Sequence, residues 1–221
     1  MEEVVSLIDK NFNRFISILE NDVKRDGIQN LISWLKSKDT KIAPASTKYH
    51  LSRPGGLVEH SLHVYDRLKR LIEMEYPKFK VSESGEMEEI DGYQAPCSDE
   101  TIAIVALMHD ISKVNFYDIQ ERNTKNEKGE WIKVPYYAVK DDDHRLIFDT
   151  HSINSFYMLS KFIKLTYEEE LAIIHHEGAF NSCLDNLAKS NIMSAWRKSP
   201  LGMLLHQADM MATILDDDLS E

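Results

Sequence analysis

The chain has 221 residues, a formal net charge of −11 and 43% hydrophobic residues, enough apolar content for a real core in one large domain or one domain with elaborations. The acidic balance argues against broad binding to nucleic acid, whose phosphates demand Lys and Arg, and leaves room for a local basic pocket. Two distant cysteines, Cys97 and Cys183, make neither a disulfide framework nor a Cys-type zinc site. With an acidic start, Met1-Glu2-Glu3, and no apolar stretch of membrane-spanning length, the expectation is a soluble, cytoplasmic protein.

Residues 3–20 place Val4, Val5, Ile8, Phe12, Phe15, Ile16 and Leu19 at helical spacing. A second helix is expected after Asp26, an N-cap candidate, and carries Ile28, Leu31, Ile32 and Leu35. Both read as scaffold. Pro44, Pro54, Gly55 and Gly56 make residues 39–56 irregular, after which a helix starts near Leu57 and ends before Pro77. Residues 78–98 read as an exposed connection, and Ser98 then caps an apolar helix that closes on His109-Asp110. Residues 114–140 place Phe116, Tyr117 and Ile119, then Trp131, Ile132, Val134, Tyr136 and Tyr137, around a polar Lys128-Gly129 segment, which predicts an inserted β-hairpin.

Beyond it, Asp141-Asp142-Asp143 and His144 read as solvated loop, with a weak metal role for the acidic run as the alternative. Helical pattern resumes over 150–164. Thr166 and Glu169 form a capping box for a helix reaching His175-His176, with Gly178 as its natural stop. Leu184, Leu187 and Trp196 suggest a short packed helix. Ser199-Pro200 opens the last one, with Pro200 at its first position, running through Asp209 to about Leu215. The fold class expected is therefore all-α with a small β-hairpin inserted, and the sequence holds no internal repeat.

His109-Asp110 carries the chemistry. Burying an imidazole and a carboxylate unpaired at the end of an apolar run is costly, and a divalent metal satisfies both at once. Further candidates follow the order H…HD…H…HH…D, in His60, His109-Asp110, His151, His175-His176 and Asp209. Histidine with aspartate suits Mn, Fe, Ni, Co, Zn or Mg. Adjacent helical residues diverge by about 100°, so His109 and Asp110 share one ion only where the helix ends, unless Asp110 bridges two ions.

Five segments carry a family resemblance: GGLVEHSLHV at 55–64, ALMHDISKV at 106–114, DTHS at 149–152, IIHHEG at 173–178 and LLHQADMMA at 204–212. Together they resemble the HD-domain superfamily of metal-dependent phosphohydrolases over most of residues 45–212, in a single HD-type domain preceded by N-terminal helices in residues 1–40. The resemblance implies that His60, His109, Asp110 and Asp209 ligate a first divalent metal. It resembles further the subset that binds two, in which Asp110 bridges and His151 with His175 or His176 completes the second site. His176 is favoured, because it stands just before Glu177-Gly178. Asp110 and Lys113 are then the catalytic pair. Lys113 is a phosphate-contacting cation on this reading, or a helix-end cation on the blander one. His50, Arg53 and His175 are candidates for substrate contact, while His63 and His206 read as packing neighbours of ligands.

The function implied is hydrolysis of a phosphomonoester or phosphodiester, with a small nucleotide-type substrate as the partner rather than nucleic acid or a membrane. Two alternatives share the ligand set: a di-iron oxygenase of the same fold, and a non-catalytic nucleotide sensor. The stretch YHLSRPGGLVEH also resembles HD-type exoribonucleases, but the −11 charge favours a small substrate. The hairpin, next in sequence to His109-Asp110, is expected to cover the pocket, with Trp131 packed against the helices and Tyr136 and Tyr137 free to pack or to stack on a base.

Overall fold

A computed structural model describes residues 2–82, 85–141, 150–178 and 186–217, so Asp142, Asp143, His144, Cys183 and Leu184 lie outside the described residues. The elements run α1 (Glu2–Asp22), α2 (Ile28–Ser37), α3 (Gly56–Glu75), β1 (Phe79–Val81), β2 (Met87–Glu89), α4 (Asp99–Met108), β3 (Tyr117–Lys125), β4 (Trp131–Val139), α5 (His151–Ser160), α6 (Tyr167–Ile174), α7 (Asn186–Lys198) and α8 (Leu201–Met211). The fold is helical, as its hydrophobic periodicity requires, and none of these helices is long and apolar enough to cross a membrane.

Helix α3 lies at the centre. Its first half is buried on every side, from Gly56 through Leu62, and it packs against α1, α4 and α8. Helix α4 is apolar all round for the same reason: every residue from Thr101 to Met108 is buried. The N-terminal helices join this core directly, since Phe15, Leu19, Leu31 and Leu35 belong to one apolar cluster with Leu68, Leu107, Leu159 and Leu205.

The caps follow the sequence closely. Ser98 accepts from the Thr101 amide, and Thr166 and Glu169 form a reciprocal capping box. Glu169 does more than cap. It is fully buried, takes a bidentate pair of bonds from Arg25 at 2.5 and 2.7 Å and one from Thr101 Oγ1 at 2.8 Å, and so clamps α6 to α4 and to the α1–α2 turn.

Four local expectations need correction. Asp26 does not cap α2; Gly27 takes that position at φ +90°, where a Cβ would lie 1.9 Å from the Phe162 carbonyl oxygen, so only glycine fits. Residues 78–98 hold a short exposed antiparallel pair, β1 with β2, in register from Phe79↔Glu89 to Val81↔Met87. Helix α6 stops at Ile174, four residues before Gly178, which leaves His175 as its C-cap. Pro200 is the N-cap of α8 rather than its first residue, and beyond Met211 the chain continues as a π-helical turn over Ala212–Asp217.

The hairpin at 114–140 is present, with β3 and β4 paired from Tyr117↔Val139 to Lys125↔Trp131. Trp131 does not pack on the helices: it is 70% exposed at the ribbon's outer end, with Lys125 Nζ 5.2 Å from its ring centre. An isolated two-stranded ribbon has one neighbour for each strand and no sheet to bury it.

Candidate metal centre

Each metal-type side chain is delivered by an element end or a buried face. His60 stands on the buried side of α3, and Asp209 faces it from α8 at 3.2 Å. Helix α4 ends at Met108 with His109 as C-cap; Asp110 then leaves the helix at φ −110°, ψ 17° and opens a 3-10 turn over Ile111–Lys113. The divergence of adjacent helical residues is thereby removed, and His109 Nε2 lies 3.4 Å from Asp110 Oδ2. His151 begins α5 with its Nε2 3.3 Å from Asp110 Oδ1, and His176, just past α6, brings its Nε2 to 3.8 Å from the same oxygen. Ser112 holds the pieces in register, its hydroxyl donating to the His151 carbonyl and its amide to Ser155.

Thus His60, His109, Asp110, His151, His176 and Asp209 converge at one end of the bundle. Two sets of three, His60 with His109 and Asp209, and His109 with Asp110 and His176, have ligand atoms all within 4.8 Å of one another. The fit to a cation rests on what these atoms lack. His109 Nδ1 faces the Ala106 carbonyl at 2.8 Å and His176 Nδ1 the Ile173 carbonyl at 2.7 Å. A carbonyl only accepts, so Nδ1 carries the proton in both rings and each Nε2 presents a lone pair inward. His109 Nε2 and Asp110 Oδ1 are buried with no hydrogen-bond partner. Native proteins rarely leave such atoms unpaired unless an ion or water completes them.

The electrostatics agree. Burial and the neighbouring His109 push His176 down to about 3, and burial also lowers His151, so both stay neutral as ligation requires. Burial disfavours charge on Asp110, but Lys113, His109 and His151 outweigh it and hold the carboxyl well below its usual range. Asp209 is lowered likewise, chiefly by its bond to His60 working against burial. His60 stands apart: burial opposes its charge, yet bonds to Asp209 and Asp217 raise it to about 10. A cation at Nε2 must displace that proton, while Nδ1 keeps its own for Asp217.

Asp217 was invisible to motif reasoning. It is fully buried and bonds both His60 Nδ1 at 2.8 Å and His63 Nδ1 at 2.7 Å, which gives His63 its role as well. Glu177 stands in a similar relation to His151, at 3.4 Å from Nδ1, and is fixed by the Ser152 hydroxyl at 2.9 Å. The only sequence signal for either was an acidic residue near a helix end.

Lys113 is mostly buried, not a loose helix-end cation, with Nζ 2.6 Å from Asp110 Oδ2. His50 lies against His60, ring centres 4.9 Å apart; its Nε2 is buried without a partner, and burial with His60 lowers it to about 4. These groups border a pocket of about 180 Å³ that opens to solvent. Arg53 is not in it. That side chain bonds Glu59 at 2.9 Å and borders a neighbouring groove. His175 points elsewhere too, into a shallow hollow beside Ile153 and Ile192. His206 also borders the pocket and braces the centre: its Nδ1 meets the His176 carbonyl at 2.6 Å. Gly178 makes that packing feasible, since at φ +56° a Cβ there would lie 2.8 Å from the His206 ring. No hairpin residue borders the small pocket, so the ribbon does not cover it; a larger cavity of about 660 Å³ lies at the far end of α3.

Comparison with known proteins agrees with this geometry. A model of the HD domain family matches residues 57–211, and the chain belongs to that family. HD domains are typically metal-dependent hydrolases, and the His/Asp groups here are of the kind that holds a divalent metal. No curated protein and no solved structure matches the chain significantly.

Proposed function

We propose that the chain is a metal-dependent phosphohydrolase that cleaves a phosphomonoester or phosphodiester of a small, nucleotide-type molecule. One observation carries the reading: the orphaned, buried His109 Nε2 and Asp110 Oδ1 stand beside the imidazoles of His151 and His176, which burial keeps neutral. Leaving such atoms unsatisfied costs about 1–3 kcal/mol each, more for a charged oxygen, and a divalent ion removes both penalties. On this reading His60, His109, Asp110 and Asp209 would hold one ion, and Asp110, His151 and His176 would be the residues available to a second. A bound ion of this kind supplies an acidified water and positive charge for phosphate oxygens.

The rest of the chemistry belongs to the chain. Lys113 brings a fixed cation to the pocket beside Asp110, where the negative charge of a phosphoryl group would gather. His50, neutral and unpartnered at Nε2, offers a hydrogen bond at the pocket mouth. Asp217 and Glu177 hold the rings of His60 and His151 from behind.

Elemental analysis of the purified protein, followed by phosphate release from a nucleotide panel with added manganese, tests the proposal. Asp110→Ala is expected to lose bound metal and about a thousandfold or more of turnover, with the helical circular dichroism intact. Retained metal and full turnover in that variant would overturn the assignment. Iron-dependent oxygen consumption without phosphate release would transfer the site to oxygenase chemistry.

A further inference from the structure

The small pocket poses a question of size. At about 180 Å³ it accommodates a phosphoryl group, whereas sites that enclose drug-sized ligands run to roughly 300–1,000 Å³. A nucleotide bound by its phosphate must project outward, and the fold provides a place beside the pocket. The loop before α3 carries His50 into the pocket, while Tyr49 and Arg53, on either side of it, border a second groove of about 540 Å³. The β3–β4 ribbon forms the opposite wall through Arg122, Tyr136 and Tyr137, and Lys48 stands at the loop edge.

The composition of these walls does not match the rest of the chain. Three cations border a single groove in a protein of net charge −11. Three tyrosines stand among them. Arg122 lies 5.4 Å from the Tyr136 ring centre, and Arg53 is anchored by Glu59 at 2.9 Å. Tyr136 and Tyr137 are only half-buried, so part of each side chain stays accessible. Flat aromatic faces with guanidinium groups form the surface that unpaired bases stack on.

We infer that this groove is the nucleoside subsite of a free nucleotide whose phosphate enters the pocket past His50, with the base stacked on one of the two hairpin tyrosines, which as strand neighbours face opposite sides of the ribbon. The inference rests on the hydrolase reading for the direction in which the phosphate points. The groove's volume of about 540 Å³, the size of a single small ligand, and the chain's overall negative charge favour a free nucleotide over a strand end.

The test is calorimetric and needs no turnover. Manganese-loaded protein is titrated with adenosine, guanosine and uridine 5′-monophosphates, and with ribose 5-phosphate, which lacks a base. The nucleotides are expected to bind about five- to a hundredfold more tightly than the sugar phosphate. Tyr136→Ala combined with Tyr137→Ala should close that gap, with ribose 5-phosphate affinity and metal content unchanged. Both residues lie on an exposed ribbon, so the bundle folds without them. Equal binding of nucleotides and ribose 5-phosphate by the native protein overturns the inference, as does a gap that survives in the double variant. A pentaribonucleotide binding more than tenfold tighter than any mononucleotide overturns the choice of a free nucleotide.

The outcomes separate from those of the hydrolase reading. Base-dependent binding without cleavage of any phosphomonoester or phosphodiester, bis(p-nitrophenyl) phosphate included, sinks the hydrolase and keeps the groove. Metal-dependent cleavage of bis(p-nitrophenyl) phosphate without base discrimination does the reverse.

Discussion

His109 and His176 are one device used twice, and the β3–β4 ribbon is its opposite. Each histidine follows the end of a short helix and donates Nδ1–H to the carbonyl three residues back, at 2.8 and 2.7 Å. Each ends fully buried with Nε2 turned inward. Backbone geometry alone fixes the tautomer and the aim of both rings, because the helix end presents its unpaired carbonyls at that spot. The ribbon has no such constraint. Its residues alternate between faces that are mostly exposed, and they become a surface only where the loop before α3 approaches. The first region acts through rigidity and the second through composition.

The sharpest way to break this comparison is to exchange neighbours at one helix end. His176→Ala should remove a metal equivalent and about a hundredfold or more of activity, measured by elemental analysis and phosphate release. His175→Ala should change either quantity by less than about twofold, because its ring lies in a separate hollow. Equal losses in both variants would mean that the helix end tolerates either ring as a ligand, and the argument from rigidity would fall.

A smaller effect is expected from Asp217→Asn. The amide preserves shape but no longer offers two anionic oxygens to His60 and His63, bonded at 2.8 and 2.7 Å. Carboxylates behind ligand histidines are worth about 10–100-fold in metal affinity, and chelator competition should show a loss in that range with the thermal transition retained. Glu177→Gln should lose less, since its contact with His151 is longer, at 3.4 Å, and that ring is partly exposed. A larger loss at Glu177 than at Asp217 would invert the ranking of the two supports.

These contrasts explain which features are legible in the amino-acid sequence. The helical class, the caps at Ser98 and Thr166, the hairpin and the convergence of six metal-type residues follow from local pattern or family motif. Position along the chain was enough because each such residue sits at a helix end or on a buried face. Asp217 was not legible: it lies eight residues beyond Asp209, in a π-helical turn whose winding no periodicity announces. Trp131 was misjudged because an aromatic residue in a strand usually finds a packing partner, and this ribbon has no second layer. Arg53, a candidate for substrate contact from its place before the glycine pair, is turned by its bond to Glu59 away from the metal-site pocket and into the adjacent groove. Tertiary approach decided all three.

The ribbon itself supplies the smallest and most discriminating prediction. Its groove-facing residues stop at Arg122 on β3 and at Pro135 on β4; beyond them the ladder continues through Asn123↔Lys133 to Lys125↔Trp131 and a turn held by the Asn126 side chain. Those outer bonds are all local to the ribbon. Replacing residues 124–132 with a two-residue Asn-Gly turn keeps the Asn123↔Lys133 pair and the register below it. Metal content should not change, the thermal midpoint should move by no more than about 1–2 °C, and the preference for nucleotides over ribose 5-phosphate should persist within about twofold. If the preference vanished with the tip while the tyrosines stayed, the ribbon would act as a cover that folds over the ligand. If instead it survives, specificity belongs to the half of the hairpin nearest the helices, where the inserted ribbon meets the loop that carries His50.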